Sequence, residues 1–215
     1  AIATLDELAP GRVWNGLGVG GSRVLQPLGL APARPFSTLV EATETTSALL
    51  SGAAVGEARI PWTRGRVPLA IAGRGPKVQE LAATSADWVA HLAEESRRVR
   101  AAGPARIAWS AYIAWGPEER SRVLRHFSYM AVDAPPDIRA AAGLDERTLE
   151  AVRTAMLDGR MHDASRLLPM ALVDQYAIVG SHEECAATIA RNRSNFDLFM
   201  LPMNDEATCE VHIDR

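Results

Sequence analysis

Two glycine-rich segments follow apolar runs and have the composition of loops that bind phosphate groups. The first, residues 16–21, fits the pattern G-x-G-x-x-G, and Glu41 follows Gly21 by 20 residues. In dinucleotide-binding proteins such glycines let the backbone approach a pyrophosphate, and the later acid binds a ribose hydroxyl. Taken alone, this spacing indicates a dinucleotide site.

The residues after the first loop argue against a dinucleotide site. The third glycine of such a site leads directly into a helix, whereas prolines intervene here and Glu41 falls inside a predicted helix. Two other interpretations remain open: a tight turn after a strand, and a loop that lines a ligand at the carboxyl rim of a barrel. In the latter, the residues that border the ligand are Gly18, Gly20, Gly21 and Ser22.

The second segment consists of Gly73, Arg74, Gly75, Pro76 and Lys77, and it contains the chain's one lysine. An apolar strand ends here, glycine permits close approach of a ligand, and proline is favoured at the first position of a helix. Free N–H groups at a helix N-terminus attract anions, and the two cationic side chains add to that attraction. A phosphate site and a plain strand-to-helix turn both explain the segment, and spacing alone does not decide between them.

The other residue types that could do chemistry form no recognisable motif. The five histidines lack H-x-x-x-H spacing and the two cysteines lack partner ligands, so we predict no metal and name no catalytic residue. His162 lies near a predicted loop between helices and could face a barrel rim, whereas His182 fits a solvent-exposed position in the first turn of a helix better than a functional one. Trp109, Tyr112 and Trp115 fit packing better than a ring-binding site, and Trp115 is the best candidate for a pocket wall.

Apolar runs alternate with helical patterns along the chain. Strands are predicted at residues 12–17, 67–72, 87–90, 107–115 and 196–201. Helices are predicted at residues 35–51, 76–84, 91–102, from 117, at 146–158, 164–175 and 182–191. Asp145 is a predicted N-cap, and Ser181 with Glu184 forms a predicted capping box. This order indicates an α/β fold with a parallel sheet, either a (β/α) barrel or a doubly wound sheet.

Composition excludes several classes of protein. The 215 residues are 47% hydrophobic and 23% charged, which suffices for a single domain over residues 1–215. A net charge of −3 argues against a nucleic-acid partner. No apolar run approaches the roughly 20 residues of a membrane span, acidic residues at positions 6 and 7 argue against a signal peptide, and Cys185 and Cys209 form no disulfide framework. We therefore expect a cytoplasmic protein with no membrane partner.

Short segments spread in order over the chain carry a family resemblance. They are ATLDEL at 3–8, PGR at 10–12, GLGVG at 16–20, VPLAIA followed by GRGPK at 67–77, ELA at 80–82, ADWV at 86–89, IVGS at 178–181, EE at 183–184, FD at 196–197 and LP at 201–202. On these residues the chain resembles the bacterial luciferase-like superfamily of flavin- and deazaflavin-dependent oxidoreductases. The resemblance is greatest to the branch that contains methylenetetrahydromethanopterin reductase.

The resemblance implies a (β/α)8 TIM barrel with FMN or the deazaflavin coenzyme F-420 at its carboxyl rim. The segment from Gly73 to Lys77 would hold the cofactor phosphate, and the loop from Gly18 to Ser22 would border the same pocket. Five strands are predicted here instead of eight, so we expect the N-terminal strands of the barrel to be absent from this chain. Open sheet edges need cover, which predicts a homo-oligomer.

The resemblance also implies an oxidoreductase that acts on a small organic substrate. With coenzyme F-420 the reaction would be hydride transfer, and with FMN it would be a monooxygenation. One alternative is a non-catalytic flavin-binding protein related to a shortened luciferase-like barrel. Another is an NAD-dependent dehydrogenase that uses the first glycine loop, with Glu41 on the ribose.

Overall fold

The computed structural model describes residues 1–21, 25, 28–63, 65, 67–73, 75–90 and 93–200. The chain divides into two compact units. Unit 1 comprises Ala1–Trp109 with Asn195–Leu198, and unit 2 comprises Ser110–Ser194 with Phe199–Arg215. The sequence prediction of one domain over residues 1–215 stays a prediction.

Named helices and strands alternate from residue 1 to 109 of the described chain, and helices dominate the residues that follow. In order they are α1 (Ile2–Leu8), β1 (Asn15–Gly18), α2 (Pro35–Leu50), β2 (Leu69–Ala72), α3 (Pro76–Ser85), β3 (Asp87–Ala90), α4 (Ala93–Ala102), β4 (Ile107–Trp109), β5 (Tyr112–Trp115), α5 (Pro117–Leu124), α6 (Ser128–Val132), α7 (Pro136–Ala141), α8 (Glu146–Leu157), α9 (Met161–Arg166), α10 (Ala171–Tyr176), β6 (Ala177–Gly180), α11 (His182–Asn192) and β7 (Leu198–Phe199). Short 3-10 helices occupy Arg125–Phe127 and Arg193–Asn195. No helix in the described part of the chain is long and apolar enough to cross a membrane.

A five-stranded sheet with the order β1-β2-β3-β4-β7 forms the centre of unit 1. Strands β1 to β4 pair in parallel, with Gly18 opposite Ala72 and Trp109 opposite Ala90. Continuous apolar sequence is typical of parallel strands that are covered by helices. The α/β class predicted from the alternation of elements is confirmed.

Helices α2, α3 and α4 bury one face of this sheet. The buried cluster comprises Leu39, Leu69, Ile71, Val78, Ala82, Ala83, Ala86, Val99, Ala105 and Ile107. Ile71 and Ile107 are fully buried, and since side chains alternate along a strand, the next residues of β2 and β4 face the other way. The helix-covered face therefore fixes the register of the sheet and the position of its ends.

Unit 2 consists mainly of helices, with one parallel pair of strands. Strands β5 and β6 pair from Tyr112 opposite Ala177 to Trp115 opposite Gly180. Phe127 is fully buried, and its ring contacts those of Tyr112 and Tyr176 with centroid distances of 5.0 Å and 5.8 Å. These aromatic contacts tie β5 and α10 to the 3-10 helix.

The strand predicted at residues 107–115 is wrong in its continuity. Ser110 and Ala111 separate β4, in the five-stranded sheet, from β5, in the two-stranded sheet. The apolar run is continuous, so the break follows from tertiary pairing and not from a local signal. Strand β6 was not predicted. The helix predicted at residues 164–175 is also interrupted, and Pro169 lies in the gap between α9 and α10, where it cannot continue a helix.

The closed barrel is not present in the described residues. Strands β1 and β7 are the two ends of the strand order, so the sheet of unit 1 is open. The absence of N-terminal barrel strands stays a prediction.

Candidate functional site

The two glycine-rich segments leave the same edge of the sheet. Strands β1 and β2 are parallel neighbours, and Gly18 at the end of β1 lies opposite Ala72 at the end of β2. Gly20 and Gly73 come shortly after these two residues and therefore lie at one edge of the sheet, which we call the carboxyl edge. Ligands of parallel α/β sheets bind beyond the carboxyl ends of the strands.

Two glycines of the first loop, Gly18 and Gly20, are needed for packing. A Cβ atom on Gly18 would lie 3.1 Å from the carbonyl oxygen of Ala72, and one on Gly20 would lie 2.7 Å from Cδ1 of Leu25. Gly20 also has a φ of +73°, and the carbonyl of Gly21 accepts a hydrogen bond from the Leu25 amide. A tight turn explains these residues without a ligand. Ser22 lies outside the described residues.

The structure does not support a dinucleotide site at the first loop. Glu41 lies in the interior of α2 (Pro35–Leu50), not at the end of a second strand. The described residues 28–34 between loop and helix are non-helical. Helix α2, which carries Glu41, therefore does not begin directly at the glycine loop.

The second loop meets α3 at its first turn. Gly75 is the N-cap, Pro76 takes the first position, and the Gly75 carbonyl accepts hydrogen bonds from the amides of Val78 and Gln79 at 2.9 Å and 3.1 Å. Proline has no N–H, so the amide of the exposed Lys77 is the first-turn donor left for an anion within the described residues. A Cβ on Gly75 would meet nothing within 4 Å, which leaves room for a ligand.

Lys77 thus combines a backbone donor with a cationic side chain at the carboxyl edge. Arg74, the other predicted cation of this segment, lies outside the described residues. A Cβ on Gly73 would lie 3.0 Å from Cγ1 of Val78, so this glycine is needed for the packing of the loop on α3. The open space at Gly75 and the two donors of Lys77, its amide and its ammonium group, fit a phosphate group.

The opposite end of the sheet holds a cluster that the sequence analysis missed. Arg106, just before β4, donates to the Asp87 carboxylate from Nε at 3.1 Å and from Nη2 at 2.6 Å, and its amide donates to the same carboxylate at 3.1 Å. Its guanidinium carbon lies 4.6 Å from the ring centroid of Trp14. The hydrogen bonds to Asp87 raise the pKa of Arg106 above its usual value. The spacing of Asp87 and Arg106 gives no motif that could have predicted this contact.

Trp115 and His182 meet in unit 2. Trp115 ends β5, His182 begins α11, and their ring centroids are 4.7 Å apart with an interplanar angle of 30°. His182 is exposed, as its first-turn position predicted, but it also covers part of the ring that was the best candidate for a pocket wall.

The other aromatic residues of the predicted fourth strand serve packing, as predicted. Trp109 is buried and its ring lies 4.9 Å from that of Phe196. Tyr112 packs between Phe127 and His126, and burial raises the pKa of its hydroxyl.

Neither a reactive thiol nor a metal cluster emerges from the described residues. Burial raises the pKa of the Cys185 thiol, which disfavours the nucleophilic thiolate. His162 lies on α9 at an intermediate to exposed position. Within the ranges that the structure describes, no three His, Cys, Asp or Glu side chains are grouped as metal ligands.

Comparison with known proteins places these features in a family. A family model described as luciferase-like monooxygenase matches residues 1–196. The 5,10-methylenetetrahydromethanopterin reductase of Archaeoglobus fulgidus is 25% identical over 86% of this chain. The chain spans 65% of that relative's length.

Solved structures show a similar fold at low sequence identity. The coenzyme F420-dependent tetrahydromethanopterin reductase of Methanopyrus kandleri superposes with a TM-score of 0.69 at 16% identity, over 93% of this chain and 70% of that one. EDTA monooxygenase of Chelativorans sp. BNC1 superposes with a TM-score of 0.57 at 16% identity, over 99% of this chain and 68% of that one.

Proposed function

The chain belongs to the luciferase-like monooxygenase family, and from that membership we propose that it is an oxidoreductase dependent on coenzyme F-420. It would transfer a hydride between the deazaflavin and a small organic substrate. The name of the reductase structure from Methanopyrus kandleri supports the choice of cofactor, and the name of the Archaeoglobus relative supports a reductase reaction.

The observation that carries the proposal is the register of β1 and β2. Gly18 opposite Ala72 brings two glycine loops to the carboxyl edge of a parallel sheet, which is where barrel enzymes hold phosphates and perform chemistry. The absence of a Cβ at Gly75 lets a phosphate approach the first turn of α3, and Lys77 offers it one N–H and one ammonium group.

The protein's part in such a reaction is to bind and orient. When bound, the deazaflavin supplies the two-electron hydride chemistry. Lys77 and Gly75 would hold the phosphate end, and Gly18, Gly20 and Gly21 would border the pocket with a backbone that carries no side chains. Arg74 and Ser22 remain proposed contacts from the family resemblance.

FMN-dependent monooxygenation is the second candidate function. The description of the family model and the EDTA monooxygenase neighbour favour it. The named relatives are enzymes, so they do not favour the non-catalytic flavin-binding alternative. We also retain as proposals the (β/α)8 barrel of which this open sheet would be a part, the homo-oligomer and the cytoplasmic location.

Binding of each cofactor to the purified protein tests the proposal. We expect coenzyme F-420 to bind, and we expect Lys77→Gln to weaken binding roughly tenfold or more because one charge-assisted contact is lost. Gly75→Ala should also weaken binding while leaving the thermal midpoint unchanged, since its Cβ meets no protein atom. Gly16→Ala, equally free of contacts, is the control that should bind as the parent does.

The outcome of this titration distinguishes the two cofactors and tests the phosphate assignment. Tight binding of FMN with none of coenzyme F-420 would favour the monooxygenase candidate. Failure of both cofactors to bind, or equal binding by the parent, Gly75→Ala and Lys77→Gln, would remove the phosphate assignment.

A further inference from the structure

A cavity lies at the end of the unit 1 sheet that the proposed cofactor site does not use. Its volume is about 280 Å³, and it is lined by Pro68, Leu69, Asp87 and Arg106. Leu69 and Asp87 are the first residues of β2 and β3, and Arg106 directly precedes β4. We call this end of the sheet the amino edge.

Arg106 is held in place at this edge from two directions. Asp87 accepts hydrogen bonds from Nε and Nη2 of its side chain and from its backbone amide. The ring of Trp14, which precedes β1, lies against the guanidinium. An arginine organised in this way loses little further rotamer freedom when it binds a ligand.

The guanidinium keeps one edge for a ligand. A guanidinium offers two edges for paired hydrogen bonds, and Asp87 occupies the edge formed by Nε and Nη2. The edge formed by Nη1 and Nη2 has no acceptor within the described residues. We propose that the amino-edge cavity is a second ligand site, which binds a small organic carboxylate on this free edge of Arg106.

The lining indicates the class of ligand. Pro68 and Leu69 offer apolar surface, and a planar carboxylate matches the free edge of Arg106. The carboxylates of Asp87 and Asp197 both act on the charge of Arg106, so a ligand with one negative charge is favoured over a phosphate with two. The cavity has a volume of about 280 Å³ and is open to solvent on one side, which suits a small ring or a short aliphatic acid.

Titration of the ¹⁵N-labelled protein with benzoate tests this site. We expect a saturable shift of the Trp14 indole N–H resonance, which Trp14→Phe identifies among the five tryptophans. Benzamide has the same shape without the charge, and we expect it to bind at least about tenfold more weakly. This comparison needs no substitution at Arg106.

Substitution of the arginine provides the second arm. Arg106→Lys keeps the charge but removes the paired donors, so benzoate should bind about tenfold more weakly. Arg12→Lys, an exposed position close to Trp14, should leave benzoate binding unchanged. Binding of coenzyme F-420 should be the same in both variants and with benzoate present.

Three outcomes would overturn the site. They are equal binding of benzoate and benzamide, unchanged benzoate binding in Arg106→Lys, and loss of coenzyme F-420 binding in Arg106→Lys. Benzoate binding requires no cofactor, so a failure of the proposed function would leave this result intact.

Discussion

Asp197 and Ile107 exchange two hydrogen bonds across a long stretch of sequence. The Asp197 amide donates to the Ile107 carbonyl at 2.7 Å, and the Ile107 amide donates to Oδ2 of Asp197 at 2.7 Å. Arg100 donates to the same oxygen at 2.9 Å. One carboxylate thus fixes the start of β4, the end of α4 and the segment that leads into β7.

Loss of this carboxylate should destabilise the protein. We expect Asp197→Ala to lower the free energy of unfolding by about 1–3 kcal/mol, because the amide of the fully buried Ile107 loses its acceptor. Asp163→Ala removes an exposed pair with Arg160 and should change it by less than about 0.5 kcal/mol. Urea unfolding followed by circular dichroism measures both, and equal losses would contradict the prediction.

Substitution of alanine for two glycines of β1 should affect the stability of the protein differently. A Cβ on Gly18 would lie 3.1 Å from the Ala72 carbonyl, so Gly18→Ala should destabilise by about 1–3 kcal/mol. Gly16 has open space and no positive φ, so Gly16→Ala should be neutral or stabilise by up to about 1 kcal/mol. Thermal unfolding of the two variants tests this contrast, and a loss of stability in Gly16→Ala would argue against the described register.

The N-cap of α8 should make stability depend on acid pH. Hydrogen bonds from Thr148 lower the pKa of Asp145 below its usual value. Asp145 therefore contributes to the free energy of unfolding above its unfolded-state pKa. This contribution is lost as the pH falls through the lower, folded-state pKa. We expect Asp145→Asn to reduce the loss of stability between pH 6 and pH 2.5, as measured by urea midpoints. Asp133→Asn, at the exposed end of α6, is the matched control and should show the parent's pH dependence.

The capping box of α11 depends on the glycine that precedes it. Gly180 has a φ of +151°, and a Cβ there would lie 2.8 Å from Oε2 of Glu184. That oxygen accepts from the Ser181 amide, while Ser181 Oγ accepts from the Glu184 amide. We expect Ser181→Ala to cost about 1 kcal/mol, and Gly180→Ala to cost more, about 1–3 kcal/mol, because it adds strain. Chemical denaturation ranks the two variants, and a smaller effect of Gly180→Ala would refute the argument.

Local signals allowed much of the helix pattern to be predicted. Pro76 at the first position of α3, Asp145 before α8, and Ser181 with Glu184 before α11 act on residues a few positions away. Both partners of such an interaction are visible in the sequence, so the prediction needs no tertiary information.

Pairing between distant segments was not predictable in the same way. Strand β4, which ends at Trp109, pairs with β3. Strand β5, which begins at Tyr112, pairs with β6, although one apolar run contains both strands. Which strand a segment joins depends on the packing of the whole unit, and the contact of Arg106 with Trp14 has the same origin.

The common edge of the two glycine segments was predictable, but the hydrogen bonds at that edge were not. Parallel strands place their loops at one edge, which brought the two glycine segments together as expected. The sequence did not show that the Gly75 carbonyl would accept the amides of Val78 and Gln79, leaving Lys77 as the donor at that turn.

Unit 1 is discontinuous in sequence, so it can be completed only late in translation. That unit requires Asn195–Leu198, which are synthesised only after the whole of Ser110–Ser194. At about 5–20 residues per second, β4 waits several seconds on the nascent chain before Asp197 emerges to pair with Ile107. Until then the edge of β4 that faces β7 in the folded sheet has no partner strand, so it is open to chaperones and to wrong partners during translation.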